Sequence, residues 1–349
     1  MYQDPTTTIE HLYSGTPVYK HELIKLLKCD DPYILELLRS RADMVRQEHY
    51  GTDVYIRGLI EFTNYCKNNC YYCGIRRDNK DATRYRLTLE DILHCCDEGY
   101  KLGFRTFVLQ GGEDGYFTRD KICHIIASIK EKYSDCAVTL SIGECDMADY
   151  QAFYNAGADR YLLRHETACN EHYSKLHPDN MSLENRKECL YNLKSIGFQV
   201  GSGFMVGSPF QTLDNLVEDI FFLGKLKPHM IGIGPFITHK DTPFCNHKSG
   251  SLDMTLKVIS ILRLSHPKAL IPATTALGSI HPNGRELGLK AGANVIMPNL
   301  SPANVREKYM LYDNKLSTGK EAAEGLEELC KAVEDAGYKI VVDVGHAKC

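Results

Sequence analysis

The chain has 349 residues, a formal net charge of −4 and 43% hydrophobic residues, enough for one large α/β domain or two average ones. That charge argues against nucleic acid as the main partner. The longest apolar stretches fall short of the roughly 18 residues a membrane helix needs, and Met1-Tyr-Gln-Asp lacks the basic and apolar regions of a secretory signal.

Residues 1–50 read as an N-terminal helical extension that caps the rest. Thr6-Thr7-Thr8 can cap a first helix at Ile9, and His21–Leu27 and Pro32–His49 carry apolar residues at helical spacing. From residue 51 to residue 349 a β/α alternation sets in. Strands are expected at Ile56–Phe62, Thr106–Gln110, Ala137–Ile142, Arg160–Arg164, Gln199–Met205, Met230–Gly234, Ala269–Ala273 and Asn294–Met297. Helices are expected between them at Thr88–Leu102, Thr118–Lys132, Asp146–Ala156, Ser182–Ile196, Thr212–Lys225, Leu252–Leu264 and Gly284–Ala291. A further C-terminal helix, near Ala303–Leu311, should follow the last strand. This order predicts parallel βαβ units, and hence an α/β fold of the (β/α)8 TIM-barrel type. Chemistry in such barrels sits at the C-terminal ends of the strands.

The segment leaving the first strand reads Cys66-Lys-Asn-Asn-Cys70-Tyr-Tyr-Cys73. Three thiolates on one short loop can hold three irons of a cubane cluster. A normal 4Fe-4S cluster has four cysteines, so one iron stays open to a small chelating molecule. The competing readings are a zinc site or unrelated buried thiols. A structural zinc site usually takes four Cys or His ligands, and the chain has no second CxxC or HxxxH pair. Fourteen cysteines in an unsecreted chain should be mostly thiols, in keeping with a reducing cytoplasm.

Other polar residues fall at strand ends. Gln110-Gly111-Gly112-Glu113 follows the second strand, and glycine lets backbone approach a ligand closely. Arg160, Arg164 and Glu166 alternate along and beyond the fourth strand. They read as a carboxylate and ribose site or as an internal ion-pair network. His165, between the last two, should point outward and be structural. Thr274 and Thr275 follow the seventh strand and can offer hydroxyl and N–H groups to a small anion.

The CxxxCxxC spacing with Tyr72 before its last cysteine resembles the signature of radical S-adenosylmethionine (SAM) enzymes. Phe62-Thr-Asn-Tyr-Cys66, Cys73-Gly-Ile-Arg-Arg-Asp-Asn79, Leu109-Gln-Gly-Gly-Glu-Asp114 and Tyr161-Leu-Leu-Arg-His-Glu-Thr167 run in order. So do Gly232-Ile-Gly-Pro-Phe236, Ile271-Pro-Ala-Thr-Thr275 and Ala293-Asn-Val-Ile-Met-Pro-Asn299. Together, over about residues 50–340, they resemble the HydE-type maturases of iron-only hydrogenase.

The resemblance implies one 4Fe-4S cluster on Cys66, Cys70 and Cys73, and SAM chelating its open iron. It places Tyr72, Gln110, Gly111, Gly112, Glu113, Thr139, Arg164, Glu166 and Arg186 at SAM. It places Arg160, Met230, Thr274, Thr275, Met297 and Tyr309 at the substrate end. The implied substrate is a small cysteine-bound iron carbonyl-cyanide unit made by a partner maturase. The implied electron donor is a ferredoxin or flavodoxin. Some relatives carry a second cysteine trio near the C-terminus. Here only Cys330 and Cys349 remain after Tyr309, so a single cluster is expected. Biotin synthase is similar too, but its inner-strand thiols are replaced by Gln110-Gly111, Ser202 and Met205. A methylornithine-synthase-like mutase and a non-catalytic iron–sulfur carrier stay open as alternatives.

Overall fold

The computed structural model describes residues 4–319 and 322–348; Cys349 lies outside the described residues. Three helices lead: α1 (Pro5–Ser14), α2 (Lys20–Lys28) and α3 (Pro32–Tyr50). The cap of α1 is Asp4, which accepts from Thr6 N, with Pro5 at the first helical position. The three threonines therefore lie inside the helix. Proline fits there because the missing N–H would have had no partner. Ile9, Leu23, Leu26 and Leu38 share one core with Ile220 and Ile259 further along the chain. Arg46, fully buried, ties α3 to the sheet by donating to Ala293 O, Gly51 O and Asp53 O.

The strands are β1 (Asp53–Ile56), β2 (Gly58–Thr63), β3 (Thr106–Gly111), β4 (Ala137–Ser141), β5 (Arg160–Leu162) and β6 (Gln199–Ser202). They continue as β7 (Met205–Val206), β8 (Met230–Ile231), β9 (Gly234–Pro235), β10 (Val295–Ile296) and β11 (Lys339–Val341). Between them come α4 (Leu89–Lys101), α5 (Arg119–Lys132), α6 (Met147–Asn155), α7 (Asn170–Leu176), α8 (Leu183–Ile196) and α9 (Leu213–Leu226). Then follow α10 (Leu252–Ser265), α11 (Thr275–Ile280), α12 (Gly284–Lys290), α13 (Ala303–Arg306) and α14 (Leu326–Asp335).

All strand pairings are parallel. One sheet runs β2-β3-β4-β5-β6-β8, a second β10-β1-β11, and a third β7-β9. Single bridges at Met230–Leu270, Pro272–Val295 and Leu59–Asn299 join segments of the first two. Phe107, Leu109, Val138, Leu140 and Tyr161 face outward, in one buried cluster with Ile122 and Ile126 of α5 and Tyr150 of α6. Their alternates, among them Gln110, Thr139 and Arg164, therefore face inward.

Several elements differ from expectation. The first strand divides at Arg57: β1 pairs with β10 and β11, and β2 with β3. The fifth and sixth divide where two backbones nearly touch. A Cβ on Gly203 would sit 1.9 Å from Gly232 O. The seventh strand shrinks to bridges at Leu270 and Pro272. Proline has no N–H to give a ladder, and the Asn294 side chain takes the Ile271 N–H instead, at 2.9 Å. The helix after β10 stops at Arg306, not Leu311. Neither α7 nor β11 was foreseen; β11 is a short, half-exposed strand held by β1.

Candidate active site

The loop after β2 is the longest excursion at the strand ends. It returns at Arg86, which bridges Thr63. Its shape is set by buried polar side chains. Asn64 accepts from Tyr85 N and donates to Thr83 O and Lys308 O. Asn79 donates to Gly74 O at 2.6 Å. Arg84 donates to four carbonyls of the same loop: Asn64, Ile75, Arg76 and Asn79. Nothing in local sequence pattern marks Arg84, because its role is to close a loop onto itself.

Within this frame Cys66, Cys70 and Cys73 are free and half-buried. Burial raises all three thiols, Cys73 to about 12. Deprotonating them needs a compensating positive centre. Arg84 opposes the rise at Cys66 and Cys73, and metal binding would complete it. Cys70 Sγ lies 3.8 Å from Met181 Sδ, a neighbour that sequence reasoning missed. Tyr72 is fixed by its hydroxyl, 3.1 Å from His177 Nε2.

Gly111-Gly112-Glu113 lies against this loop. A Cβ on Gly112 would come 2.2 Å from Tyr65 O and 2.7 Å from Cys66 Cβ. Part of the glycine requirement is thus the cysteine loop itself. Glu113 Oε2 pairs with Lys67 Nζ at 3.1 Å, and its Oε1 accepts from Glu144 N at 3.0 Å. Its carboxylate therefore closes the loop onto the end of β4.

The inward residues beyond β5 form a charged group. Arg164 Nη2 is 3.0 Å from Glu166 Oε2. Glu166 has a positive φ of 65°, a left-handed conformation that costs a non-glycine residue about 1–2 kcal/mol. Arg186, on the first turn of α8, reaches Glu144 Oε1 at 2.8 Å. Burial works against its charge, but Glu144, Tyr173 and Tyr72 outweigh it and keep the guanidinium charged. Glu144 was not singled out from sequence, although Gly143-Glu144 ends a strand as Gly112-Glu113 does.

At the other side, Thr274 caps α11 without using its hydroxyl in the cap, and Thr275 Oγ1 is 3.4 Å from Arg285 Nη2. Tyr309 is buried, with Gln110 as its hydroxyl partner. Beside it stands a group that sequence reasoning missed. Glu61, fully buried on β2, pairs with Lys315 at 2.7 Å and accepts from Asn299 Nδ2 at 2.8 Å. Met297 packs half-buried with Leu270 and Val295.

Arg160 and Met230 are placed elsewhere. Both begin their strands, at the end opposite the cysteine loop. Arg160 donates to Thr106 Oγ1 and Val344 O and touches His346. Met230 Sδ meets Arg57 Nη1. With Thr139 they line a small cavity at the base. Arg160 and Met230 thus stand at strand starts, whereas Thr274 and Thr275 open α11 beyond the seventh strand. Cys330 sits on α14, in an outer groove with Leu102 and Leu326, away from the cysteine trio.

Buried atoms without a protein partner test what the site accepts. They include Arg164 Nε and Thr274 Oγ1, with Thr139 Oγ1 nearer the base, and beside them stand the ion pairs Arg164–Glu166 and Arg186–Glu144. Such groups are costly unless bonded. Donors and acceptors on one inner face suit a molecule with carboxylate, amino and hydroxyl groups. Among the described residues, no three His, Cys, Asp or Glu side chains converge on a single ion. Cubane ligands each bind a different iron and have no need to converge. The residues present thus fit a three-cysteine cluster with SAM beside it.

Residues 60–223 match the family model of the radical SAM superfamily. The HydE subunit of the FeFe hydrogenase maturase of Thermotoga maritima is 45% identical over 95% of this chain and 94% of its own. The 3-methylornithine synthase of Methanosarcina barkeri is 30% identical over 95% of this chain and 92% of its own. A crystal structure of methylornithine synthase superposes with a TM-score of 0.86 at 28% identity, covering 95% of this chain and 97% of that one. The chain belongs to the radical SAM superfamily and, within it, to the family of the HydE subunit of FeFe hydrogenase maturases.

Proposed function

We propose that this protein is the radical SAM enzyme that processes a small, cysteine-derived iron carbonyl-cyanide precursor during assembly of the FeFe hydrogenase active site. The observation that carries this is the 45% identity to the HydE subunit across nearly the whole of both chains. The Arg164–Glu166 and Arg186–Glu144 ion pairs, with the unpartnered Arg164 Nε, support it. When bound, the cluster and SAM together supply a 5′-deoxyadenosyl radical through one-electron reductive cleavage of the sulfonium.

The chain's own residues hold and enclose that chemistry. Cys66, Cys70 and Cys73 ligate one 4Fe-4S cluster. Tyr72, the Gln110–Glu113 turn, Arg164, Glu166 and Arg186 position SAM, with Thr139 deeper in the cavity. Thr274, Thr275, Met297 and Tyr309 line the substrate end. The strands close as a (β/α)8 barrel, a reading supported by the bridges Met230–Leu270, Pro272–Val295 and Leu59–Asn299. Closure keeps such a radical beside its substrate and away from side reactions with other groups. Other hydrogenase maturases supply the substrate and receive the product, and a ferredoxin or flavodoxin in a reducing cytoplasm supplies the electron.

A second reading, a methylornithine-synthase-like mutase acting on an amino acid, is favoured by the TM-score of 0.86 to that enzyme. Reconstituted protein with a low-potential reductant separates the two. The maturase forms 5′-deoxyadenosine with the iron precursor and supports hydrogenase activation, whereas a mutase consumes SAM in response to lysine. No 5′-deoxyadenosine under any condition would mean a carrier. Cys66→Ala, Cys70→Ala or Cys73→Ala should each abolish both cluster and cleavage, and Cys330→Ala neither.

A further inference from the structure

Glu166 sits in a backbone conformation that its side chain does not favour, so something else must hold it there. The residues after β5 are gripped from behind. Asp219, on α9, has a fully buried carboxylate. Its Oδ1 accepts from Ala168 N and lies 3.3 Å from His165 Nε2. His165 is itself fully buried, on the side facing the helices. Its Nδ1 lies 3.0 Å from Ser202 Oγ, and its ring packs edge-on against Phe222. Lys187 of α8 donates to Ala168 O at 3.0 Å, so both backbone polar groups of Ala168 are held. Between these two anchors, Glu166 N donates to Gly203 O at 3.1 Å and Thr167 N to His165 O at 2.8 Å.

The geometry has a direct consequence. His165 and Ala168 flank Glu166 and Thr167, and one carboxylate touches both flanking residues. With them pinned to α9, the short intervening chain is forced into the left-handed turn. The Arg164 and Glu166 side chains then face inward while His165 faces outward. Releasing Asp219 would free the turn to relax toward an unstrained φ and swing Glu166 away.

We propose that Asp219, acting with His165, is the positioning residue for Glu166: it touches no ligand yet sets the orientation of the carboxylate offered to SAM. This rests on the reading of Glu166 as a SAM contact, and a double-variant cycle keeps the two apart. SAM affinity is measured by equilibrium dialysis on cluster-loaded protein, with iron content and melting temperature checked first, for Glu166→Gln, Asp219→Leu and the two combined.

Each single change should weaken SAM binding about tenfold or more, the effect of one lost hydrogen bond to a charged group, with iron content unchanged. The combined variant should be no weaker than Glu166→Gln alone. Asp219→Asn, whose amide oxygen can still accept from Ala168 N, should recover most of the affinity. If Glu166→Gln binds SAM normally, the reading of Glu166 fails and the proposal falls with it. If Glu166→Gln weakens binding but Asp219→Leu does not, only the proposal is overturned. Additive losses in the combined variant would also overturn it, since Asp219 would then act by another route. Should Asp219→Leu not fold, His165→Phe takes its place in the same cycle, and normal SAM affinity in that variant refutes the proposal.

Discussion

Arg84 is the residue on which the cysteine loop most depends, and replacing it tests how the site is built. Arg84→Met removes a guanidinium that donates to the carbonyls of Asn64, Ile75, Arg76 and Asn79 and keeps most of the hydrophobic stem. A hydrogen bond to a charged group contributes about 1.5–3 kcal/mol. The loop is half-exposed, so some of the freed carbonyls regain water, and a net loss of about 3 kcal/mol is reasonable. At about 1.4 kcal/mol per factor of ten, the loop should open about a hundredfold more often. Hydrogen exchange should speed up across residues 64–86 and stay unchanged in α1–α3. The cluster should be lost faster to a chelator, because each opening exposes the iron. Arg84→Lys keeps the charge without the planar fork and should fall between the two. Wild-type exchange and wild-type chelator resistance in Arg84→Met would refute this account of the loop.

Three other outcomes follow from the same geometry. Gly112→Ala puts a Cβ where Tyr65 O and Cys66 Cβ now stand, so reconstituted iron content should drop well below wild type; full iron loading would mean that the loop shifts at little cost. The Thr274→Val, Thr275→Val double variant should keep its cluster and uncoupled SAM cleavage but lose hydrogenase maturation. Lost uncoupled cleavage would place these hydroxyls at the cofactor instead. Burial lowers His165 and His177 to about 3 from an ordinary value of 6.5. Their folded values lie below their unfolded ones, so the two histidines contribute no pH dependence above about pH 7 and lower stability as pH drops from about 6.5, by up to about 1.4 kcal/mol per pH unit for each histidine. A urea midpoint that stays flat from pH 7.5 to pH 5 would contradict this.

Some of this was decided by the chain alone. Three cysteines at that spacing on a strand-to-loop joint mark the proposed ligand set, because one short loop can present only its own residues. The β/α alternation fixes parallel strands, since each helix must carry the chain back before the next strand begins. Both facts are local, and hydrophobic periodicity or spacing suffices to read them. Other features depend on contacts between residues far apart in sequence. Arg84 looks like any loop arginine until the loop closes around it. Asp219 looks like a polar residue on an amphipathic helix until it is found buried against His165. Pro272 and Asn294 together thin the seventh strand, and neither does so alone. Arg160 and Arg164 look equivalent in sequence, four residues apart on one strand. Strand direction sends the first to the base beside Val344 and His346 and the second to the mouth beside Glu166. The alternation of a strand sets which face a residue takes, but only the assembled sheet sets which end of the cavity it reaches.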